Sequence, residues 1–255
     1  MNTFDAILPA GGRLPLAFAQ RVGTEMKTLI EFEGTTILER TLVALRDSGV
    51  IGRTVVVGPP EVQNHVACRL ATYAVGEGAT SPENILRGIA ALGENGASPQ
   101  KVVVITTDLP LVSHSHISRF IDACPPEIDF CIPLVSKASY EERFPDATAT
   151  FIPLADGDWT AGCAYLIDVE AMKKAIPRIE AVFRNRKSKI GMAKLLGPVF
   201  LLKYLMKTLT IPDIEKQIRS MLRCTGVPIP NSPPELAFDI DAEDDWDYLL
   251  ELQTA

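Results

Sequence analysis

The stretch from Val102 to Leu111 reads Val-Val-Val-Ile-Thr-Thr-Asp-Leu-Pro-Leu. Its opening apolar run is typical of a strand buried on both faces, and the proline just beyond ends that strand. Asp108 then stands at the carboxyl edge of the sheet, where open α/β sheets bind their ligands. A carboxylate there can hold a hard cation such as Mg²⁺, which prefers oxygen ligands. The alternative is that Asp108 caps a helix that follows near His116.

Apolar runs and helix-period segments alternate along the first half of the chain. The apolar runs predict strands at Phe4–Pro9, Thr54–Gly58 and Val102–Thr106. The helical segments are Ile37–Ser48, Asn84–Leu92 and His116–Cys124. Because strands that alternate with helices form mostly parallel sheets, this order predicts a three-layer α/β fold, with a Rossmann-like, mostly parallel mixed sheet and helices on both faces.

The second half of the chain has a looser pattern. It predicts strands at Asp129–Pro133, Ala147–Pro153 and Ala164–Ile167, a loop at Asp156–Gly162 and a helix at Val169–Ile176. Residues 178–222 differ again, because they join a basic stretch, an apolar stretch and a further helical pattern. We therefore predict one domain over residues 1–255 that contains a helical insertion at residues 178–222.

Composition excludes several classes of protein. A net charge of -7 argues against general nucleic-acid binding, which needs a basic surface. The five cysteines show neither a Cys-x-x-Cys pair nor zinc-ligand spacing, so we interpret them as reduced core thiols. The N-terminus lacks the features of a signal peptide, and no apolar run approaches the roughly 18 residues of a transmembrane helix. We expect a cytoplasmic protein.

A glycine pair follows the first predicted strand, in the segment 8–13 that reads Leu-Pro-Ala-Gly-Gly-Arg. Glycines after a strand let backbone N–H groups surround a phosphate, and Arg13 together with Lys27 can neutralise a triphosphate. The segment matches neither the Walker A loop nor the dinucleotide-binding fingerprint. The alternative is an ordinary Gly-Gly turn with a solvated arginine.

An acidic stretch, Ala237–Trp246, lies near the C-terminus. We predict that Asp239 and Asp241 lie in a strand, where residues two apart project to the same face. Two carboxylates at one strand end would contribute to a metal site, and Asp241 can also cap the next helix, which we place from Trp246. The acidic residues that follow Asp241 suit the first turn of that helix, because the helix dipole favours them there.

The order of these three motifs resembles the MobA-like NTP-transferase domain, which molybdenum-cofactor guanylyltransferases share with sugar-phosphate, methylerythritol-phosphate and phospholactate nucleotidyltransferases. The resemblance covers residues 4–170 and 235–252. It implies a GT-A-like form of the fold and a nucleotidyltransferase that moves a nucleoside monophosphate from an NTP to a phosphorylated small-molecule acceptor, with Mg²⁺ as cofactor and pyrophosphate as product. Two alternatives stay open, a GT-A-type glycosyltransferase that uses a nucleotide-sugar and a catalytically silent nucleotide-binding module.

The resemblance also implies roles for individual residues. Arg13 and Lys27 would stabilise the reacting α-phosphate. The implied metal ligands are Asp108, Asp241 and their neighbour Asp239. The nucleotide-binding candidates are Leu8, Ala10, Gly11, Gly12, Ser81 and Asn84, and the acceptor-binding candidates are Thr160 and Gly162. For Ser81 and Asn84 the alternative is an N-capped helix start, and Lys27 follows the glycine pair at a longer spacing than is usual in the family.

The predicted insertion is basic, whereas the chain as a whole is acidic. Between Arg178 and Lys207 it has eight lysines and arginines against one acid, Glu180. Such a segment can bind an anionic acceptor, lie on an anionic membrane surface or dock a partner subunit. A helix with a solvated basic face and a buried apolar face is the plain alternative. Under the first interpretation, the side chains that bind the acceptor include Arg184, Arg186 and Lys187. The oligomeric state stays open, with a homodimer among the alternatives.

Overall fold

The computed structural model describes residues 3–94, 96–185 and 188–254. Arg186 and Lys187 of the basic stretch lie outside these residues. The strands are β1 Phe4–Pro9, β2 Glu31–Phe32, β3 Thr35–Thr36, β4 Ile51–Gly58, β5 Tyr73–Gly76, β6 Lys101–Ile105, β7 Phe130–Ser136, β8 Ile152–Leu154, β9 Gly157–Ala161, β10 Ala164–Asp168 and β11 Gly226–Ile229. The helices are α1 Leu16–Val22, α2 Ile37–Asp47, α3 Pro60–Gln63, α4 Ser81–Glu94, α5 His114–Ala123, α6 Lys137–Arg143, α7 Val169–Asn185, α8 Lys189–Leu196, α9 Pro198–Leu205, α10 Ile211–Leu222 and α11 Glu243–Thr254.

Nine of the described strands form one sheet in the order β5-β4-β1-β6-β10-β7-β9-β8, with β11 paired to β7. Strands β5, β4, β1 and β6 are parallel, whereas β10 runs antiparallel between β6 and β7. The predicted α/β fold with a mostly parallel mixed sheet is confirmed. The carboxyl ends of β1, β5 and β6 lie at one edge because these strands share a direction, and that edge is the natural place for a ligand.

Helices cover both faces of the sheet. Leu42 and Leu45 of α2 and Phe120 of α5 pack with residues of β1 and β6 in one apolar cluster. On the other face, Ile89 of α4 and Met172 of α7 pack on the same strands in a second cluster. Helix α4 lies close to β1, because a Cβ added at Gly88 would stand 2.5 Å from Cγ2 of Ile7. This close packing fixes the N-terminus of α4 at the carboxyl edge of the sheet.

Two predictions on the strands of the second half are wrong. The predicted strand Ala147–Pro153 is replaced by the short β8, because residues 147–151, although they alternate partly buried and exposed positions, pair with no strand among the described residues. The predicted loop Asp156–Gly162 contains β9, which pairs with β7 and β8. Trp159 explains the difference, because it is buried in an apolar cluster and holds the hairpin to the sheet.

The described residues of the segment 178–222 are mostly helical, and the first of them lie inside a longer helix. The helix predicted to end at Ile176 continues through Pro177 to Asn185 as α7. Helices α8, α9 and α10 follow within residues 178–222. Within the described residues, no helix is both long and apolar enough to cross a bilayer.

Candidate active site

A cavity of about 410 Å³ opens at the carboxyl edge of the sheet, and we name it the glycine-loop cavity. Three segments form most of its wall, namely the loop after β1, the loop after β5 with the start of α4, and the loop after β6. The described residues that line it include Gly11, Gly12, Arg13, Lys27, Glu77, Gly78, Ser81, Asn84, Thr106 and Asp108. Residues predicted to bind a nucleotide are thus brought together from three distant parts of the chain.

The loop after β1 is held open by backbone hydrogen bonds. The amide of Ala10 donates to the carbonyl of Val57 at 2.8 Å, and the amide of Lys27 donates to the carbonyl of Gly12 at 3.0 Å. The second bond places Lys27 beside the glycine pair, although α1 lies between them in the sequence. The long spacing in the sequence therefore still places the lysine at the loop. Leu8 and Ala10 are buried and are not among the described residues that line the cavity.

Arg13 forms an ion pair that the sequence did not predict. Its Nη2 atom lies 3.0 Å from Oε1 of Glu77, while the arginine side chain stays 55% exposed. Glu77 directly follows β5, and a side chain at Gly11 would collide with its carboxylate. An acid therefore covers the glycine loop and neutralises the arginine. Its position directly after a parallel strand was the available signal in the sequence.

The N-terminus of α4 is built by local hydrogen bonds. The Thr80 hydroxyl accepts from the amide of Glu83 at 3.3 Å, so the helix start is capped one residue before Ser81. Oδ1 of Asn84 accepts from the amide of Gly78 at 2.6 Å. Asn84 is 8% exposed and Ser81 is exposed, and both line the glycine-loop cavity. The capped helix start and a position beside a bound nucleotide are therefore compatible.

Three carboxylates, those of Asp108, Asp239 and Asp241, each place an oxygen within 4.8 Å of the others. The prediction that the last two lie in a strand is wrong, because residues 238–241 have no strand structure. The amide of Ile240 instead donates to the carbonyl of Asp108 at 3.0 Å, and this bond links the two acidic segments. Oδ2 of Asp245 accepts from the amides of Asp241 and Ala242, so Asp245 caps the turn into α11.

The carboxylate cluster is electrostatically costly in the absence of a cation. Burial raises the pKa of the Asp108 carboxyl above its ordinary value, although Lys27 opposes the shift. Its Oδ1 atom is buried and has no hydrogen-bond partner among the described residues. Burial, together with the charges of Asp108 and Asp241, also raises the pKa of Asp239 to about 7. Crowded, partly desolvated acids of this kind favour a bound cation or a proton.

Asp108 does not cap the helix that follows it. Ser113 is the N-cap of α5, and its amide donates to Nδ1 of His116 at 3.2 Å. This contact gives His116 a local structural role. The carboxylate of Asp108 is left free to face the glycine-loop cavity.

A cavity of about 440 Å³ lies on the other side of the cluster, and we name it the threonine cavity after Thr148, Thr150 and Thr160. Asp239 and Asp241 line this cavity, whereas Asp108 lines the glycine-loop cavity. Thr160, a predicted acceptor residue, is therefore brought to the cluster. Gly162 is not among the described lining residues, and its amide donates to the carbonyl of Pro133 at 2.9 Å.

Comparisons with solved structures find proteins of similar fold. A hypothetical transferase from Thermus thermophilus is similar, with a TM-score of 0.84, 27% identity and coverage of 96% of this chain and 99% of that chain. A nucleotidyl transferase from Methanothermobacter has a TM-score of 0.57 at 17% identity over 100% of both chains. A 2-C-methyl-D-erythritol 4-phosphate cytidylyltransferase, also from Thermus thermophilus, has a TM-score of 0.56 at 17% identity, covering 99% of this chain and 100% of that chain.

The last two structures show that the fold is shared. The family itself follows from the sequence, because the family model of the MobA-like NTP transferase domain matches residues 6–167 and so spans more than half of the chain. The chain belongs to the MobA-like NTP transferase domain family and is a nucleotidyltransferase.

Proposed function

We propose that this protein transfers a nucleoside monophosphate from an NTP to a phosphorylated small molecule and releases pyrophosphate. The observation that carries the proposal is the position of three carboxylates between two polar cavities. The glycine-loop cavity offers Arg13, Lys27 and backbone amides to the phosphates of the NTP. The threonine cavity offers hydroxyl groups, including that of Thr160, to the acceptor.

Asp108, Asp239 and Asp241 are the residues that would hold Mg²⁺. Oxygen ligands from one or two carboxylates together with substrate phosphates are the usual environment of this ion. The buried Oδ1 atom of Asp108, which lacks a partner among the described residues, fits a cation ligand. When bound, Mg²⁺ would supply positive charge to the phosphates and to the developing charge of the transition state.

The reaction needs positioning and charge neutralisation, which these residues can provide. An acceptor phosphate oxygen attacks the α-phosphorus, the bond from this phosphorus to the bridging oxygen breaks, and its electron pair leaves with pyrophosphate. Lys27 lies beside the cluster and can neutralise the α-phosphate. Arg13 forms an ion pair with Glu77, and once this pair breaks its guanidinium group can bind the leaving phosphates.

We further propose that residues 1–255 act as one domain that includes the insertion at 178–222. Helices α7 and α10 support this, because they pack against α4, β10 and β11 of the main sheet layer and against each other. All five cysteines are free thiols, which supports the reducing cytoplasm as the compartment.

The test is a pyrophosphate-release assay with Mg²⁺ and each NTP, combined with pools of phosphorylated metabolites. Asp108→Asn should abolish release while NTP binding persists, since the amide keeps the shape but loses the charge. Asp156→Asn, in an exposed turn, is the matched control and should behave as the unmodified protein. NTP binding without release for any acceptor would instead support a silent nucleotide-binding module.

A further inference from the structure

The helices of the insertion form one side of a cavity of about 580 Å³, which is partly open to solvent and which we name the apolar cavity. It lies between the helices α7 to α10 and the face of the sheet formed by β6, β7 and β10. Its wall includes Val104, Phe130, Tyr165, Ile179, Phe200 and Ile218. Protein interiors are close-packed and contain few voids larger than a water molecule. A space of this size lies in the range of ligand pockets, about 300–1,000 Å³, and its apolar wall favours an apolar ligand.

One end of the apolar cavity reaches the candidate active site. Pro9, Ser81 and Thr106 line both the apolar cavity and the glycine-loop cavity. The amide of Thr106 also donates to the carbonyl of Cys163 at 3.1 Å, and Cys163 lines the threonine cavity. The glycine-loop and apolar cavities therefore meet at Thr106, which directly follows β6 and stands two residues before Asp108, and a backbone hydrogen bond links this position to the wall of the threonine cavity. At this end the apolar cavity borders the glycine-loop cavity, which Asp108 lines, and the helices of the insertion line its other part.

Tyr165 supports this orientation. It lines the apolar cavity and lies beside Val104 in the sheet. Burial raises the pKa of its hydroxyl, and the charges of Asp108 and Asp239 raise it further. Tyr165 therefore belongs to the wall of the apolar cavity on the strand that pairs with β6, the strand that leads to Asp108.

The helices that cover the cavity are also apolar on their outer surface. Val199, Leu202 and Leu205 of α9 are 70%, 58% and 76% exposed, although Phe200 of the same helix lines the cavity. Exposed cationic side chains are nearby in sequence, at Arg184, Lys194 and Lys207. Apolar residues flanked by lysine and arginine are typical of segments that contact anionic lipid surfaces. This composition favours a lipid over an aromatic metabolite as the occupant.

We propose that the apolar cavity holds the hydrocarbon chain of the acceptor, and that the acceptor is an amphiphile with one long alkyl or prenyl chain and a phosphate monoester head. This inference rests on the proposed function. The head would lie at the end of β6, where a phosphate oxygen can attack the α-phosphorus of the NTP. A new P–O–P linkage forms, the bond to the bridging oxygen breaks, and pyrophosphate carries away the electron pair. The attacking dianion has no proton to lose.

Binding of unbranched alkyl phosphates, used below their micelle concentrations, tests the cavity independently of catalysis. Each methylene that enters an apolar site should increase the affinity by about fourfold, until the cavity is full. Isothermal titration calorimetry over a series of chain lengths measures this trend. Affinity that does not depend on chain length would overturn the proposal.

Two variants that fill the cavity locate the binding site. Val182 lines the apolar cavity, so Val182→Trp should shorten the longest chain that binds and weaken long-chain binding at least tenfold. Val66→Trp is the matched control, because Val66 is 60% exposed and far from the insertion in sequence. Ile179→Phe is a milder filling variant that should show the same trend if the first variant does not fold. Equal losses in the filled variants and the control would overturn the assignment of the site.

The acceptor role is tested in the pyrophosphate assay with the same alkyl phosphates. Release should increase with chain length in parallel with affinity, and Val182→Trp should abolish the increase. If short polar phosphates support release and long chains do not, the inference fails while the proposed function stands. If long chains bind but no acceptor gives release with any NTP, the proposed function fails, and with it the acceptor role of the lipid.

Discussion

Nζ of Lys27 contacts Oδ1 of Asp241, which lies 214 positions further along the chain. The lysine side chain is 16% exposed and the aspartate side chain 71% exposed. The contact joins the glycine loop to the segment before α11 and places an ammonium group against the carboxylate cluster. Under the proposed function the same aspartate would also hold Mg²⁺, so the ion and the Lys27 ammonium group would compete for it, and a lysine displaced from Asp241 would be available to the substrate.

Lys27→Met separates the two roles of this lysine. Without the ammonium group, the α-phosphate loses a preorganised charge, so kcat should fall about 10²- to 10³-fold. Mg²⁺ should bind more tightly to the metal-free variant, because a competing cation has been removed from Asp241. Steady-state kinetics and Mg²⁺ titration calorimetry measure the two effects. Lys137→Met, at an exposed pair with Glu141, should change neither quantity. Weaker Mg²⁺ binding in the Lys27 variant would contradict the competition.

Asp239→Asn should stabilise the metal-free protein at pH 8. The folded-state pKa of Asp239 is about 7, raised by burial from an ordinary value of 3.8. As the pH rises, the unfolded chain loses this proton first, so folding stability declines between these two values and stays low above pH 7. The substitution removes this loss of folding stability, which is at most about 4 kcal/mol and corresponds to several degrees in Tm for a chain of this size.

Scanning calorimetry in EDTA at pH 8 and pH 4 measures this effect. At pH 4 the gain in Tm should shrink, because the folded-state carboxyl is then protonated and the pH is close to the unfolded-state pKa of 3.8, where little of the penalty has built up. Mg²⁺ should raise the Tm of the unmodified protein and have little effect on the variant. Asp156→Asn serves as the control. The prediction is refuted if Asp239→Asn lowers the Tm at pH 8.

Glu77→Gln should tighten NTP binding. The carboxylate of Glu77 pairs with Arg13 at 3.0 Å and covers the glycine loop, so it competes with the triphosphate for the same cation and repels it. Arg13 is 55% exposed, and exposed pairs contribute about 1 kcal/mol or less, which corresponds to a gain in affinity of up to about fivefold. Calorimetry with a non-hydrolysable NTP analogue measures it. Glu141→Gln is the control, and weaker binding in the Glu77 variant would show that this acid contacts the nucleotide directly.

The sequence was sufficient to predict the elements whose side chains alternate or repeat with clear periods. Strands β1 and β6 agree with prediction, because burial in a parallel sheet requires continuous apolar runs. Helix α2 agrees because its apolar residues recur at the helical period. The strand β9 was missed, because the stability of this hairpin comes from Trp159, whose apolar neighbours lie on other elements. Local composition does not contain those contacts.

The candidate site shows the same limit. The glycine loop and Asp108 could be proposed from the sequence because each lies within three residues of the end of a strand. Glu77 was missed because a single acid after a short strand has no motif around it. The apolar cavity could not be predicted, since its wall combines residues from three strands and the insertion. The sequence indicated an amphipathic insertion. It provided no means of distinguishing a helix interface that is closely packed from one that leaves a cavity.

Gly162→Ala distinguishes a packing role from an acceptor-binding role for Gly162. A Cβ at this position would stand 2.7 Å from the carbonyl oxygen of Leu236 and 3.0 Å from Cβ of Pro133. A backbone carbonyl and a proline ring cannot move aside as a flexible side chain can, so the segments at Leu236 and Pro133 must shift, and overpacking of this kind costs about 1–3 kcal/mol. The Tm should fall by several degrees, and the acceptor KM of the protein that remains folded should stay unchanged. Gly76→Ala is the matched control for stability, because its added Cβ would meet only Nε2 of Gln63 at 3.9 Å among the described atoms. An increased KM with an unchanged Tm would return Gly162 to the acceptor site.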